Sequence, residues 1–153
     1  MRKARILYVD DEVGAARLLK LNLDRMGRYE VQVQSWPEEA LATAREFKPD
    51  LVLLDIIMPR MPGGNVIEML QRDPELKNVP VIFFTAAVSP STVADHDGSI
   101  CDHPCLAKPS NLEGIVAFIE ANLPEKVRAE APSANMDPEG GDEANNARQS
   151  MGK

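Results

Sequence analysis

Ile6-Leu7-Tyr8-Val9-Asp10-Asp11 and Leu51-Val52-Leu53-Leu54-Asp55 decide how this chain reads: two short apolar runs, each closed by carboxylates. Runs of this length without polar alternation fit strands covered on both faces, as in a parallel sheet. Two further runs, Val81-Ile82-Phe83-Phe84 and Cys105-Leu106-Ala107, lead to Thr85-Ala86 and Lys108-Pro109. Four strand ends therefore offer an acidic cluster, a hydroxyl and an ammonium. In an open parallel sheet such ends face the side on which ligands bind.

Helix-period segments separate the runs. Val13, Ala16, Leu19, Leu23 and Met26 recur at three- and four-residue steps and predict a helix that stops at Gly27, a residue suited to the left-handed turn past a helix end. Tyr29, Val31 and Val33 alternate with polar residues, as on an edge strand. Ser35-Trp36-Pro37-Glu38 predicts a capping box opening a helix through Phe47, which Lys48-Pro49 ends. The Pro- and Gly-rich loop from Met58 to Gly64 leads to a helix from about Asn65 to Arg72. Ser110-Asn111-Leu112-Glu113 predicts a second capping box, before a helix with Leu112, Ile115, Val116, Ile119 and Leu123 on one core-facing stripe. Ser89 to Asp102 is polar and holds Pro90 and Gly98, so a fourth helix, Thr92 to His96, is expected to be short or disordered. This alternation predicts an α/β fold with a parallel sheet between helices on both faces.

At 153 residues the chain is the size of one domain. The expected boundaries are 4–123 for the folded domain and 124–153 for a disordered tail. Val127 is the only branched aliphatic residue of that tail, among six acids and four bases. Twenty-four acidic against 17 basic residues give a net charge of −7, with no basic field to attract nucleic acid or an anionic membrane. The apolar run after the basic start is too short for a secretion signal, and none approaches the roughly 18 residues of a membrane helix. Two cysteines are too few for a disulfide framework. These features predict a cytoplasmic protein with neither nucleic acid nor membrane as partner.

The carboxylates carry the chemistry. If Asp10, Asp11 and Asp55 converge, each pair of charges near 4 Å repels by about 4 kcal/mol at an effective dielectric of 20. A cation is required, and Mg²⁺ suits the site, since it takes one or two carboxylates, keeps waters and leaves positions for a phosphoryl group. An aspartate so placed can attack a phosphoryl donor and hold it as an acyl phosphate. Lys108 offers a point positive charge and Thr85 a hydroxyl donor to the oxygens of the moving group.

With Asp10-Asp11, Asp55 followed by Met58-Pro59 and Gly63, Thr85-Ala86 and Lys108-Pro109 in this order, the chain resembles a response regulator receiver domain over residues 4 to about 123. The resemblance implies a flavodoxin-like, doubly wound sheet of five parallel strands in the order 2-1-3-4-5 with five helices. It implies Asp55 as phosphoacceptor from a histidine kinase or histidine phosphotransfer protein. Mg²⁺ would be held by Asp11 and Asp55 directly, by the Ile57 backbone carbonyl and by Asp10 through a water, while Thr85 and Lys108 grip the phosphoryl oxygens. The expected function is that of a single-domain response regulator, a phosphorylation-controlled binding module rather than an enzyme, acting on a downstream protein that the sequence does not identify.

Two departures from the family pattern stand out. Receivers usually carry an aromatic residue three before the lysine, where this chain has Cys105, so phosphorylation is expected to be reported through an order-to-disorder change in residues 88–104. Ile57 and Ala87 occupy positions that often hold polar residues aiding water attack, which predicts slow self-dephosphorylation. Two alternative readings are a degenerate receiver that binds partners without phosphorylation and a metal or thiol sensor built from Cys101, His103 and Cys105. A haloacid-dehalogenase-like phosphatase would want a second acid at Ile57. A flavodoxin would be ill served by Asp10-Asp11-Glu12 beside a flavin phosphate.

Overall fold

The computed structural model describes residues 2–86, 99–100, 103–125 and 127. The chain alternates β1 (Ala4–Val9), α1 (Val13–Arg25), β2 (Tyr29–Gln34), a 3₁₀ turn (Pro37–Glu39), α2 (Ala40–Phe47), β3 (Leu51–Leu54), α3 (Gly63–Arg72) and β4 (Val81–Thr85). After residues outside the description come β5 (Ser99–Ile100), β6 (His103–Ala107) and α4 (Leu112–Asn122). The sheet order is β2-β1-β3-β4-β6-β5. The first five strands in this order run parallel, as expected for 2-1-3-4-5 with β6 as the fifth strand. The two-residue β5, which the sequence pattern did not announce, pairs antiparallel at the edge. The expected fourth helix lies outside the described residues.

The pleat divides the apolar runs between two layers. Ile6, Tyr8, Leu51 and Leu53 pack with Ala16, Leu19 and Leu23 of α1 and Ile115 and Ile119 of α4. Leu7, Val9, Val52 and Leu54 point the other way, onto Ala40 and Ala44 of α2 and Val66, Ile67 and Leu70 of α3. Every residue of β3 is buried, which explains why its sequence shows no polar alternation. On β2 buried Tyr29 and Val31 alternate with exposed Glu30 and Gln32.

Helix ends obey local chemistry. Gly27 sits at φ +79° and its N–H donates to the Asp24 carbonyl at 3.1 Å, closing α1. Lys48 takes the left-handed conformation at φ 55° just before Pro49. Neither expected capping box forms as read. Trp36, in an extended conformation, precedes a 3₁₀ turn set by Pro37, and no side chain caps it. Its N–H is taken instead by Gln34 Oε1 at 2.9 Å. At α4 the cap is one residue later: Asn111 Oδ1 accepts from the Gly114 N–H at 2.7 Å, while Ser110 Oγ donates to the Ala107 carbonyl at 3.0 Å. Asparagine is as strong a cap as serine, and here it stands at the residue from which the helix starts.

The packed body also reaches past Pro124. Val127 is 2% exposed within the α1/α4 layer, so the boundary set from composition falls inside the core. Residues 128–153 lie outside the description.

Gly63, the first residue of α3, lies against the backbone of Asp55 and Ile56 just past β3. A Cβ there would stand 2.7 Å from the Asp55 carbonyl oxygen and 3.0 Å from Ile56 Cα, both backbone atoms that cannot step aside. Gly63→Ala is expected to lower the denaturant midpoint by an amount equivalent to about 1–3 kcal/mol, whereas Gly64→Ala, with open space at its Cβ, stays neutral or gains.

Asp50, after α2, binds the Arg2 guanidinium in a two-pronged bridge at 2.7 and 2.8 Å and accepts the Arg5 N–H at 2.8 Å. Burial works to raise its pKa, but Arg2 and Arg5 override it and hold the carboxyl below its usual range. The resulting stability is complete above the unfolded value near about pH 4 and is lost as the pH falls through the lowered one. Arg2→Ala is therefore expected to cost about 0.5–1 kcal/mol at pH 7, with the gap from the parent closing in urea melts at pH 3.

Candidate functional site

The sheet's own backbone bonds carry the site residues to one rim. Asp10 N–H donates to the Gln34 carbonyl at 3.2 Å, Asp55 N–H to Val9 at 3.1 Å and Lys108 N–H to Thr85 at 2.8 Å. Each residue just past a strand is thus tied to the end of its neighbour. Asp10, Asp11 and Asp55 each offer a carboxylate oxygen, and these oxygens all lie within 4.8 Å of one another. Asp10 is fully buried, Asp55 nearly so and Asp11 half-buried. Thr85 is buried at the end of β4. Ile57, in the loop after β3, is exposed through its side chain, and its N–H points to Asp55 Oδ1 at 3.4 Å.

Lys108 reaches into the acidic group but does not share itself evenly. Its Nζ is 2.5 Å from Asp10 Oδ2, 3.8 Å from Asp55 Oδ2 and 4.0 Å from Glu12 Oε1. It also lies 5.4 Å from the centre of the Phe84 ring. Asp10 is held from three sides, with Tyr8 Oη donating to Oδ2 at 2.7 Å and the Glu12 N–H to Oδ1 at 3.0 Å. Burial, then the neighbouring Asp10 carboxylate, pushes the Tyr8 phenol far above its usual pKa, so it remains a donor. Asp55 by contrast keeps a side chain about 10% open to solvent.

The expected Asp10, Asp11, Asp55 and Lys108 are thus together, with Thr85 joined to Lys108 through its carbonyl. Tyr8 and Glu12 were not anticipated. Tyr8 was read as one more apolar strand residue, although it stands two before Asp10 and so shares its side of the strand. Cys101 of the alternative metal reading lies outside the described residues. Of the others, His103 Nδ1 is 3.1 Å from the Val81 carbonyl oxygen and Cys105 is buried, its thiol pKa raised by that burial. Among the described residues the acidic trio is the group able to hold a metal ion.

Three carboxylates face one ammonium, and the donors are hard oxygens in a partly dry cleft. That set fits a small divalent cation such as Mg²⁺. A family model described as the response regulator receiver domain matches residues 6–120. The chain belongs to that family. Receivers are the phosphorylated components of two-component signalling, with an aspartate as acceptor. Over 120 residues this receiver is 32% identical to a curated relative described as the DNA-binding dual master transcriptional regulator RpaA of Synechocystis, covering 78% of this chain and 48% of the relative. It is 42% identical over 83 residues to the response regulator PleD of Caulobacter vibrioides, covering 54% of this chain and 18% of that protein. The chain thus spans less than half the length of these relatives. Among solved structures, chemotaxis protein CheY4 of Vibrio cholerae superposes with a TM-score of 0.68 at 26% identity, covering 80% of this chain and all of that one. The receiver domain of HemR from Leptospira biflexa gives 0.62 at 27% identity, covering 83% and 95%. Among the described residues no helix is long and apolar enough to cross a membrane.

Relief of repulsion gives a direct test of the cluster. Without divalent cation, Asp11→Asn is expected to be more stable than the parent by about 1 kcal/mol, a screened share of the pairwise repulsion. Mg²⁺ at a hundredfold excess over Kd should raise the parent by about 2.7 kcal/mol and the variant by much less, as read from thermal melts.

Proposed function

We propose that Asp55 is the phosphoacceptor of this receiver, charged by a histidine kinase or histidine phosphotransfer protein, and that phosphorylation changes the binding of a downstream protein. The observation that carries this reading is the gathering of three carboxylate oxygens within 4.8 Å, with the Lys108 ammonium 3.8 Å from the most solvent-accessible of the two buried ones, Asp55. An Asp55 carboxylate oxygen attacks the phosphorus of phosphohistidine; the P–N bond breaks, a P–O bond forms, and the imidazole leaves. Small acyl phosphates serve the same step by losing a carboxylate. Mg²⁺, when bound, neutralises the crowded acids and the oxygens of the moving group. Asp11, Asp55 and the Ile57 carbonyl would hold it, with Asp10 acting through a water. Lys108 turns to the phosphoryl oxygens and the Thr85 hydroxyl donates to them.

The relatives described as transcriptional regulators are longer than the aligned stretch, and the net charge of −7 speaks for protein rather than nucleic acid as the partner of this one. We read the protein as a cytoplasmic binding module rather than an enzyme, its domain spanning residue 4 to at least Val127. The exposed aliphatic Ile57 beside the acceptor gives water no hydrogen-bonding help, in keeping with a long-lived acyl phosphate.

Incubation with acetyl phosphate and Mg²⁺, followed by intact-mass analysis, is expected to add one phosphoryl group to the parent and none to Asp55→Asn. After removal of donor, the adduct should decay over many minutes. A half-life of seconds would contradict the slow-hydrolysis part, and an unmodified parent would favour a phosphorylation-independent binding module.

A further inference from the structure

We propose that Tyr8 is a positioning residue for phosphoryl acceptance: its buried hydroxyl keeps Asp10 satisfied while Lys108 leaves that carboxylate for the phosphoryl oxygens. The proposal rests on the reading of Asp55 as acceptor. It begins from a mismatch in the geometry. Lys108 has to act on a group attached to Asp55, yet its Nζ lies 3.8 Å from Asp55 Oδ2 and 2.5 Å from Asp10 Oδ2. The ammonium is committed to the wrong carboxylate for the chemistry.

Releasing it exposes Asp10 to a penalty. Asp10 is fully buried, so an oxygen stripped of its donor finds no bulk water to replace it. The Oδ1 atom is served by the Glu12 N–H and does not help Oδ2. Tyr8 Oη is the second donor on that same Oδ2, at 2.7 Å. It cannot follow the lysine, because Tyr8 lies inside β1, is 1% exposed, and packs its ring 6.4 Å from Phe84. It is also neutral, so it does not compete with Lys108 for the negative charge of the phosphoryl group. Phe84 touches both partners, with Lys108 Nζ 5.4 Å from its ring centre. One wall thus holds the phenol still and gives the ammonium an apolar, polarisable surface to slide along.

The consequence separates two kinds of binding. A divalent cation alone leaves Lys108 on Asp10 and makes no demand on Tyr8. A phosphoryl group, or a tetrahedral mimic of it, requires the transfer. Tyr8→Phe keeps the ring and removes one oxygen. The variant is expected to bind Mg²⁺ within about threefold of the parent, while its affinity for beryllofluoride in the presence of Mg²⁺ and its rate of phosphorylation by acetyl phosphate both fall about tenfold, the scale of one hydrogen bond to a charged group.

Calorimetry with Mg²⁺ alone and with Mg²⁺ plus beryllofluoride, beside mass-detected phosphorylation rates, tests this on the full chain. Loss confined to the beryllofluoride and phosphorylation arms supports the proposal. Equal losses in all arms, or none in any while the parent is modified at Asp55, overturn it and leave the receiver reading intact. A parent that accepts no phosphoryl group at Asp55 overturns both. If Tyr8→Phe does not fold, the hydroxyl proton of Tyr8 in the parent decides by NMR. Slow exchange that persists after beryllofluoride addition supports the role, and loss of that protection overturns it.

Discussion

Repulsion among Asp10, Asp11 and Asp55 is the constraint on which the rest of this structure turns. Their oxygens crowd within 4.8 Å at the open rim of a sheet whose interior is dry. No fold holds such a group for stability, since each pair costs energy that Lys108 alone offsets only in part. The sheet tolerates the crowding because the backbone bonds from Asp10 to Gln34 and from Asp55 to Val9 fix both residues before their side chains are considered. The repulsion is thereby held in the folded chain, where a divalent cation would relieve it.

Lys108 spreads its charge unevenly over the acids. In the present arrangement it neutralises the most buried acid and leaves Asp55 less compensated and nearer solvent. The proposed role of Asp55 needs that asymmetry: an acceptor's carboxylate must remain a nucleophile open to a donor, while its neighbours are held in place. Tyr8 and Glu12 extend the arrangement around Asp10, so what reads in the sequence as a bare acidic pair is a carboxylate with three protein donors.

Much of this was legible in advance because the two relevant periodicities are strong. Leu51 to Leu54 could hardly be anything but a central strand, and the steps Ala16, Leu19 and Leu23 match the face α1 buries, while Val13 at the start of the helix is exposed. The acids, threonine and lysine were legible because strand ends are marked sharply by the change from apolar to polar. Helix caps were less so. Ser110 has a neighbour, Asn111, able to do the same work, and after Ser35, Pro37 sets a 3₁₀ turn that no side chain caps. Val127 is not singled out by composition, which averages over a window, yet its side chain is buried in the same core cluster as Leu123 and Ile119. Tyr8 escaped notice because its apolar body is what a strand pattern registers, and its hydroxyl matters only once Asp10 is seen two residues on.

The central claim is that one member of the acidic trio, Asp55, carries phosphorus as an acyl phosphate. Borohydride reduction of the phosphorylated chain, followed by peptide mass mapping, tests it most directly, because only an acyl phosphate is reduced to the alcohol and the modified residue is then read by position. The account predicts homoserine at position 55 and unaltered aspartate at 10 and 11. Reduction at either of those two residues, or phosphoryl retained on a side chain that borohydride does not touch, would contradict it.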